Sequence, residues 1–157
     1  MVTVDISDAR VSDRPDDLLV TYALGSCIAV MVHDPVRIAA GMIHYMLPAS
    51  ELSPEKAQAR PAMFADTGVP ALLESLHRLG CERRNLVVKV AGGGTLHDDR
   101  GLFAIGRRNY LAVRRLLSDA GIRVAAEDVG GARSRTARLH VGTGRCTVLS
   151  QGQEVEL

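Results

Sequence analysis

Among the 157 residues of this chain, Cys27 and His44 are the pair best equipped for acyl-transfer chemistry. A thiolate attacks a carbonyl carbon, and an imidazole takes the thiol proton and hands it to the leaving group. A free thiol has a pKa near ~8.5, which a neighbouring imidazolium lowers. A third polar group must hold the imidazole in the useful tautomer. Thr21, on the adjacent strand-like segment, carries a hydroxyl suited to this; Asp34 is the other nearby candidate. Gly25 and Ser26, immediately before Cys27, allow a sharp backbone approach. The backbone N–H groups at Gly25, Ser26 and Cys27 are therefore candidates to face an oxyanion.

These residues need elements that bring them together. Cys27–His33 and Ile38–His44 read as two strands joined by Asp34-Pro35. A turn centred between Pro35 and Val36 pairs residues whose numbers sum to about 71 and sets Cys27 directly opposite His44, with Cβ atoms roughly 4.5–5.5 Å apart. A bulge would shift the pairing by one and turn His44 to the wrong face. On this register Ile28, Val30 and Val32 share one face with Ile43, and Ala29 and Met31 share the other with Met42. Both faces are apolar, so the hairpin is expected to be covered on both sides. Asp34 falls at the end of the hairpin away from the thiol.

Around this hairpin, Val2, Val4 and Ile6 alternate with polar residues as a half-buried strand does. Arg10–Asp17 reads as a loop and Leu18–Tyr22 as a strand. Leu47–Pro61, with three prolines, reads as an irregular connection of about fifteen residues just after His44, a length more often functional or mobile than incidental. Val69, Leu72, Leu73, Leu76 and Leu79 follow helical spacing, with Pro70 in the first turn and Gly80 past the end. Tyr110, Val113, Leu116, Leu117 and Ala120 form a second helical stripe closed by Gly121, with Arg107, Arg108, Arg114 and Arg115 on its solvated side. Further strands are expected at Leu86–Val90, Ile122–Ala126, Thr136–Val141 and Cys146–Leu149. Strands cluster at both ends with helices between, so the class is α+β, one domain over residues 1–157, without the βαβα alternation of a doubly wound fold.

Thr21 with Leu24-Gly25-Ser26-Cys27, then Asp34-Pro35, then His44-Tyr45-Met46-Leu47-Pro48, resembles the chemoreceptor glutamine deamidases of bacterial chemotaxis (CheD-like proteins). The resemblance continues through Phe64-Ala65-Asp66-Thr67, Lys89-Val90-Ala91-Gly92-Gly93, Ile105-Gly106-Arg107-Arg108-Asn109 and Ala126-Glu127-Asp128-Val129-Gly130-Gly131. It departs from the family pattern at Gly94 and at Ser134-Arg135. The resemblance implies a three-layer α/β/β sandwich of the type shared with deamidating toxins. It also implies a triad of nucleophile Cys27, general base and acid His44, and orienting Thr21. The implied reaction converts glutamines of methyl-accepting chemotaxis receptors to glutamate through a thioester. Some relatives also bind a CheC-type phosphatase, which is implied to use the same surface.

The remaining features carry less. Nineteen Lys and Arg against eighteen Asp and Glu leave a net charge of +1, and aromatic residues are 3% with no Trp. Neither an electrostatic footprint nor a stacking platform for nucleic acid is present. No apolar run approaches the roughly 18 residues of a membrane span, and the N-terminus lacks a secretory pattern. Three cysteines without CxxC spacing suggest neither a disulfide framework nor a zinc site, and a reducing cytoplasm fits them. Cys81 and Cys146 read as packing residues, His33 as structural or exposed, and His77 as surface. His97-Asp98-Asp99 is a weak metal-ligand pattern. Gly92–Gly94 lacks the residues of a phosphate loop, so no cofactor is expected. A non-catalytic adaptor binding receptors or a phosphatase is the rival reading; a thiol-dependent methylesterase or amidase is the third.

Overall fold

The computed structural model describes residues 1–95 and 104–157; the His97, Asp98 and Asp99 pattern lies outside the described residues. Among the described residues, ten strands form two five-stranded sheets. The first holds β1 (Val2–Thr3), β3 (Leu18–Leu24), β8 (Arg135–His140), β9 (Cys146–Ser150) and β10 (Gln153–Glu156), in the order β1-β3-β8-β9-β10. The second holds β2 (Asp8–Ser12), β4 (Ile28–Asp34), β5 (Ala39–Tyr45), β6 (Val87–Gly92) and β7 (Val124–Val129), in the order β2-β5-β4-β6-β7.

The helices are α1 (Pro54–Ala59), α2 (Ala65–Arg78) and α3 (Ile105–Asp119). On one face of the second sheet, Ile28, Val30, Val32 and Ile43 pack with Val69, Leu72 and Leu76 of α2 and Val113 and Leu117 of α3. On its other face, Ala29, Met31, Ala40 and Met42 pack with Leu19, Leu24, Ala137 and Leu139 of the first sheet. Helices, sheet and sheet are thus stacked as a three-layer α/β/β sandwich. β4 and β5 form the middle of it and are buried along their whole length. The apolar character of both hairpin faces, including which residues share each, has this origin.

Several elements differ from the sequence expectation. Arg10, Val11 and Ser12, expected in a loop over Arg10–Asp17, belong to the strand Asp8–Ser12: it pairs antiparallel with β5 at an edge of the sheet, so its polar residues are tolerated. The strand pattern at Val2, Val4 and Ile6 stops at Thr3, and Val4 continues the pairing through its N–H to the Val20 carbonyl. The α2 helix begins at Ala65, which puts Pro70 in its second turn. Residues 47–61 are short helical turns in place of an open loop. Asp66 accepts hydrogen bonds there from the backbone N–H and the hydroxyl of Ser50, both at 2.8 Å. The β6–α3–β7 unit is a single parallel crossover in an otherwise antiparallel sheet. β10 has four exposed residues, Gln153–Glu156, and no apolar face to announce it.

The hairpin register also differs. Ala29 faces His44 and Asp34 faces Ala39, so paired numbers sum to 73. The Asp34 carboxylate accepts the N–H groups of Val36 and Arg37, at 2.8 and 3.1 Å, and the Asp34 carbonyl accepts that of Ile38 at 2.9 Å. Ile38 closes the turn at φ 54°. This four-residue loop over 35–38 is centred one position later than expected. A displacement of one position in the centre moves the register by two, which preserves the face of every side chain.

Candidate active site

Thr21 lies on β3 in the first sheet and His44 on β5 in the second, and the packing of the sheets puts them in contact. Thr21 Oγ1 is 2.7 Å from His44 Nδ1 and 2.6 Å from the Val4 carbonyl oxygen. A hydroxyl has one proton and a carbonyl only accepts, so Thr21 donates to Val4 and must accept from His44. The imidazole is therefore held with its proton on Nδ1. Nε2 carries the free lone pair and is buried without a hydrogen-bond partner among the described residues. The backbone of His44 is fixed as well, its carbonyl accepting the Ser7 N–H at 2.8 Å.

Cys27 occupies the same face of the second sheet as His44, but not opposite it. Ala29 is opposite, and Cys27 is two residues earlier on the strand line, diagonal to the ring. Diagonal neighbours of this kind are roughly 7–8 Å apart along the backbone, within reach of a long or ring side chain. No hydrogen bond joins the thiol to the imidazole in the structure. Cys27 is 9% exposed and His44 2%. Asp34 serves the distant turn and makes no contact with the ring.

Burial sets the resting protonation. It pushes the Cys27 thiol up to about 11, against a smaller lowering by the Cys27 backbone N–H. It brings His44 down to about 4, with the Asp5 carboxylate opposing. Both groups are thus neutral near pH 7. The imidazolium-lowered thiol expected from the sequence is not the resting state, because desolvation is the largest influence on each group in a site between two sheets. Cys81 and Cys146 are also buried and are pushed up to about 11, chiefly by desolvation, consistent with packing roles. His33 is buried, its Nε2 2.9 Å from the Val141 carbonyl oxygen; His77 is exposed.

The turn carrying Cys27 is pinned through its carbonyl groups. The carbonyl of Gly25 accepts the Gly94 N–H at 2.8 Å, that of Ser26 the Asn109 side-chain amide at 2.9 Å, and that of Cys27 the Gly93 N–H at 2.8 Å. Outside the strand ladders, the N–H groups of Ser26 and Cys27 donate to no backbone acceptor among the described residues. Just upstream, β3 is irregular between Thr21 and Leu24, and Ala23 adopts φ 56°. This bend carries the chain from the first sheet across to the second.

Gly92 is required where it stands. It has φ +114°, and a Cβ there would lie 2.2 Å from the Cys27 carbonyl oxygen. Gly92→Ala is expected to destabilise the fold by about 3 kcal/mol, from the backbone strain and the displaced Cys27 turn. A lowered urea midpoint with an unchanged m-value is the measurement that checks it.

The family model described as CheD chemotactic sensory transduction matches residues 46–150. The chain is 51% identical over its full length to the probable chemoreceptor glutamine deamidase CheD 2 of Anaeromyxobacter dehalogenans, covering 99% of that protein. It is 46% identical over 99% of its length to the probable chemoreceptor glutamine deamidase CheD of Solibacter usitatus, covering 92% of that protein. The chain belongs to the CheD family. The chemoreceptor glutamine deamidase CheD of Thermotoga maritima is a more distant member, 37% identical over 98% of this chain and 96% of its own length.

Within this CheD-family chain, sequence reasoning missed Asn109. Its side chain is fully buried and bonds the backbone beside Cys27 and the backbone beyond His44. The signal was available: the buried positions of α3 are Gly106, Asn109, Val113 and Leu117, and an amide on such a stripe has a polar task. Gly106 allows the helix to approach the glycine segment, since a Cβ there would lie 2.5 Å from the Gly94 carbonyl oxygen. Among the described residues, no group of three or more His, Cys, Asp or Glu side chains is placed to hold a metal ion. No helix among them is long and apolar enough to cross a membrane.

Proposed function

We propose that this protein is a cysteine-dependent glutamine deamidase acting on the cytoplasmic domains of methyl-accepting chemotaxis receptors. The observation that carries the reading is the Thr21–His44 contact, which leaves an unpartnered Nε2 lone pair on the face occupied by Cys27. The names of the relatives supply the substrate class.

In this reading His44 Nε2 removes the thiol proton as Cys27 Sγ bonds to the glutamine Cδ, because neither group is ionised at rest. The developing oxyanion is received by backbone N–H groups of Ser26 and Cys27. His44 returns the proton to the amide nitrogen, the C–N bond breaks, and ammonia leaves a thioester. Water, deprotonated by the same Nε2, attacks the thioester carbonyl; the C–S bond breaks and the thiol is reprotonated. The balance is glutamine plus water to glutamate plus ammonia. Thr21 holds the ring by accepting from Nδ1 throughout. No cofactor is required. A CheC-type phosphatase, implied by the family resemblance, belongs to this proposal as a competitor for the same surface.

Incubation of the protein with receptor cytoplasmic domains, followed by peptide mass spectrometry, tests the reading. Gain of about 1 Da at particular glutamines, with an equal yield of ammonia, is expected. Receptor binding with no mass change would favour the adaptor reading, and methanol release from methylated receptors alone would favour the methylesterase.

A further inference from the structure

We propose that Asn109 is a positioning residue for this reaction, a single amide that sets the spacing between the Cys27 turn and the His44 strand. Its Nδ2 donates one hydrogen to the Ser26 carbonyl at 2.9 Å and the other to the Met46 carbonyl at 2.8 Å. Ser26 precedes the thiol, and Met46 follows His44 by two residues. A third tie runs from the hydroxyl of Tyr45, adjacent to His44, to the Asn109 backbone carbonyl at 2.5 Å. One residue of α3 is therefore bonded to the neighbours of both reacting groups, although these lie on different strands.

The amide orientation is determined by its partners. Two carbonyl oxygens face Nδ2, and the opposite orientation would set Oδ1 against both of them. Oδ1 is left buried and without a hydrogen-bond partner. A buried acceptor left unpaired is costly, and an apolar residue would suit the Val113–Leu117 stripe better on packing grounds alone. What an apolar residue cannot do is donate to the Ser26 and Met46 carbonyls at once. Cys27 and His44 are diagonal and make no hydrogen bond at rest, so the transfer of the thiol proton depends on their separation being held.

The proposal rests on the deamidase reading, and its test separates the two. Asn109→Ala should lower kcat for receptor deamidation by roughly 30-fold with KM changed less than about threefold. In the same samples, alkylation of Cys27 by iodoacetamide is followed by mass spectrometry, with Cys146 as the internal reference. His44→Ala should slow Cys27 alkylation in the wild-type background and have no further effect in the Asn109→Ala background, while Cys146 is unchanged. Unaltered kcat, or an equal His44 effect in both backgrounds, would overturn the positioning role alone. A rise in alkylation of Cys27 and Cys146 together would mark Asn109 as merely structural and overturn it too. Absence of wild-type ammonia release and of any His44 effect would overturn the deamidase reading, and this one with it. Should Asn109→Ala not fold, Tyr45→Phe keeps the ring packing and removes only the third tie. It should lower kcat about threefold and weaken the His44 effect; no change in either would count against the proposal.

Discussion

Cys27→Ala will abolish ammonia release from receptor cytoplasmic domains, a loss of at least roughly 10⁴-fold, while the melting temperature stays within a few degrees of wild type. The two halves of the expectation have separate causes. The reaction as proposed has no route to a thioester without Sγ, and water in place of the thiol faces a closed site between two sheets. Stability is little affected because Cys27 sits at the rim of the inter-sheet core, at the end of its strand line, and its backbone is held by Gly93. Loss of one sulfur from that rim leaves only a small, partly exposed gap. Retained ammonia release in Cys27→Ala would dispose of the thiol mechanism. Cys27→Ser should be nearly as inactive, since a hydroxyl is a poorer nucleophile and its proton is harder to remove.

His44→Ala should reduce kcat by about 10³-fold, the range of a positioned general base. The pH dependence gives a sharper measurement. The active form has a neutral ring and a protonated thiol, so the acid limb of kcat/KM should follow His44 at about 4 and not the ordinary imidazole value of about 6.5. The basic limb should follow the thiol toward about 11. The profile should therefore be level from pH 6 to 9. A fall centred near pH 6.5 would contradict a buried neutral ring, and a fall centred near 8.5 would indicate an ordinary, solvated thiol. Linkage gives a second readout. With the folded pKa below the unfolded one, the unfolded chain binds the extra proton between the two values, so stability drops as pH falls from about 6.5 toward 4. The loss is on the order of 3 kcal/mol, and His44→Gln should remove that contribution, leaving a flatter stability profile over the same range.

The hairpin shows how far a linear reading reaches. Alternation in Ile28–Asp34 and Ala39–Tyr45 assigns faces correctly, because side-chain direction in a strand is a local property with period two. The register slipped by two because turn geometry depends on side-chain bonds from Asp34 to Val36 and Arg37, and Asp34-Pro35 does not spell these out. The slip did no harm to the faces and moved Cys27 from opposite His44 to the diagonal. β2 was missed for a different reason: it is a short edge strand whose alternation offers only Ala9 and Val11 to the core, while Asp8, Arg10 and Ser12 form its polar side and blend into the polar run that follows.

Residue chemistry and local pattern were determined by the sequence itself: a thiol, an imidazole and a hydroxyl in one short stretch, strands with two apolar faces, two amphipathic helices, and the motifs of a family. The contact between Thr21 and His44 was decided by the tertiary structure, because those residues belong to different sheets and meet only when the inter-sheet core closes. So was the protonation of the pair, since desolvation depends on what covers a group and not on its neighbours in the chain. Asn109 belongs with these: its partners Ser26 and Met46 are 83 and 63 residues away, and only the packing of α3 against both brings them within hydrogen-bond distance.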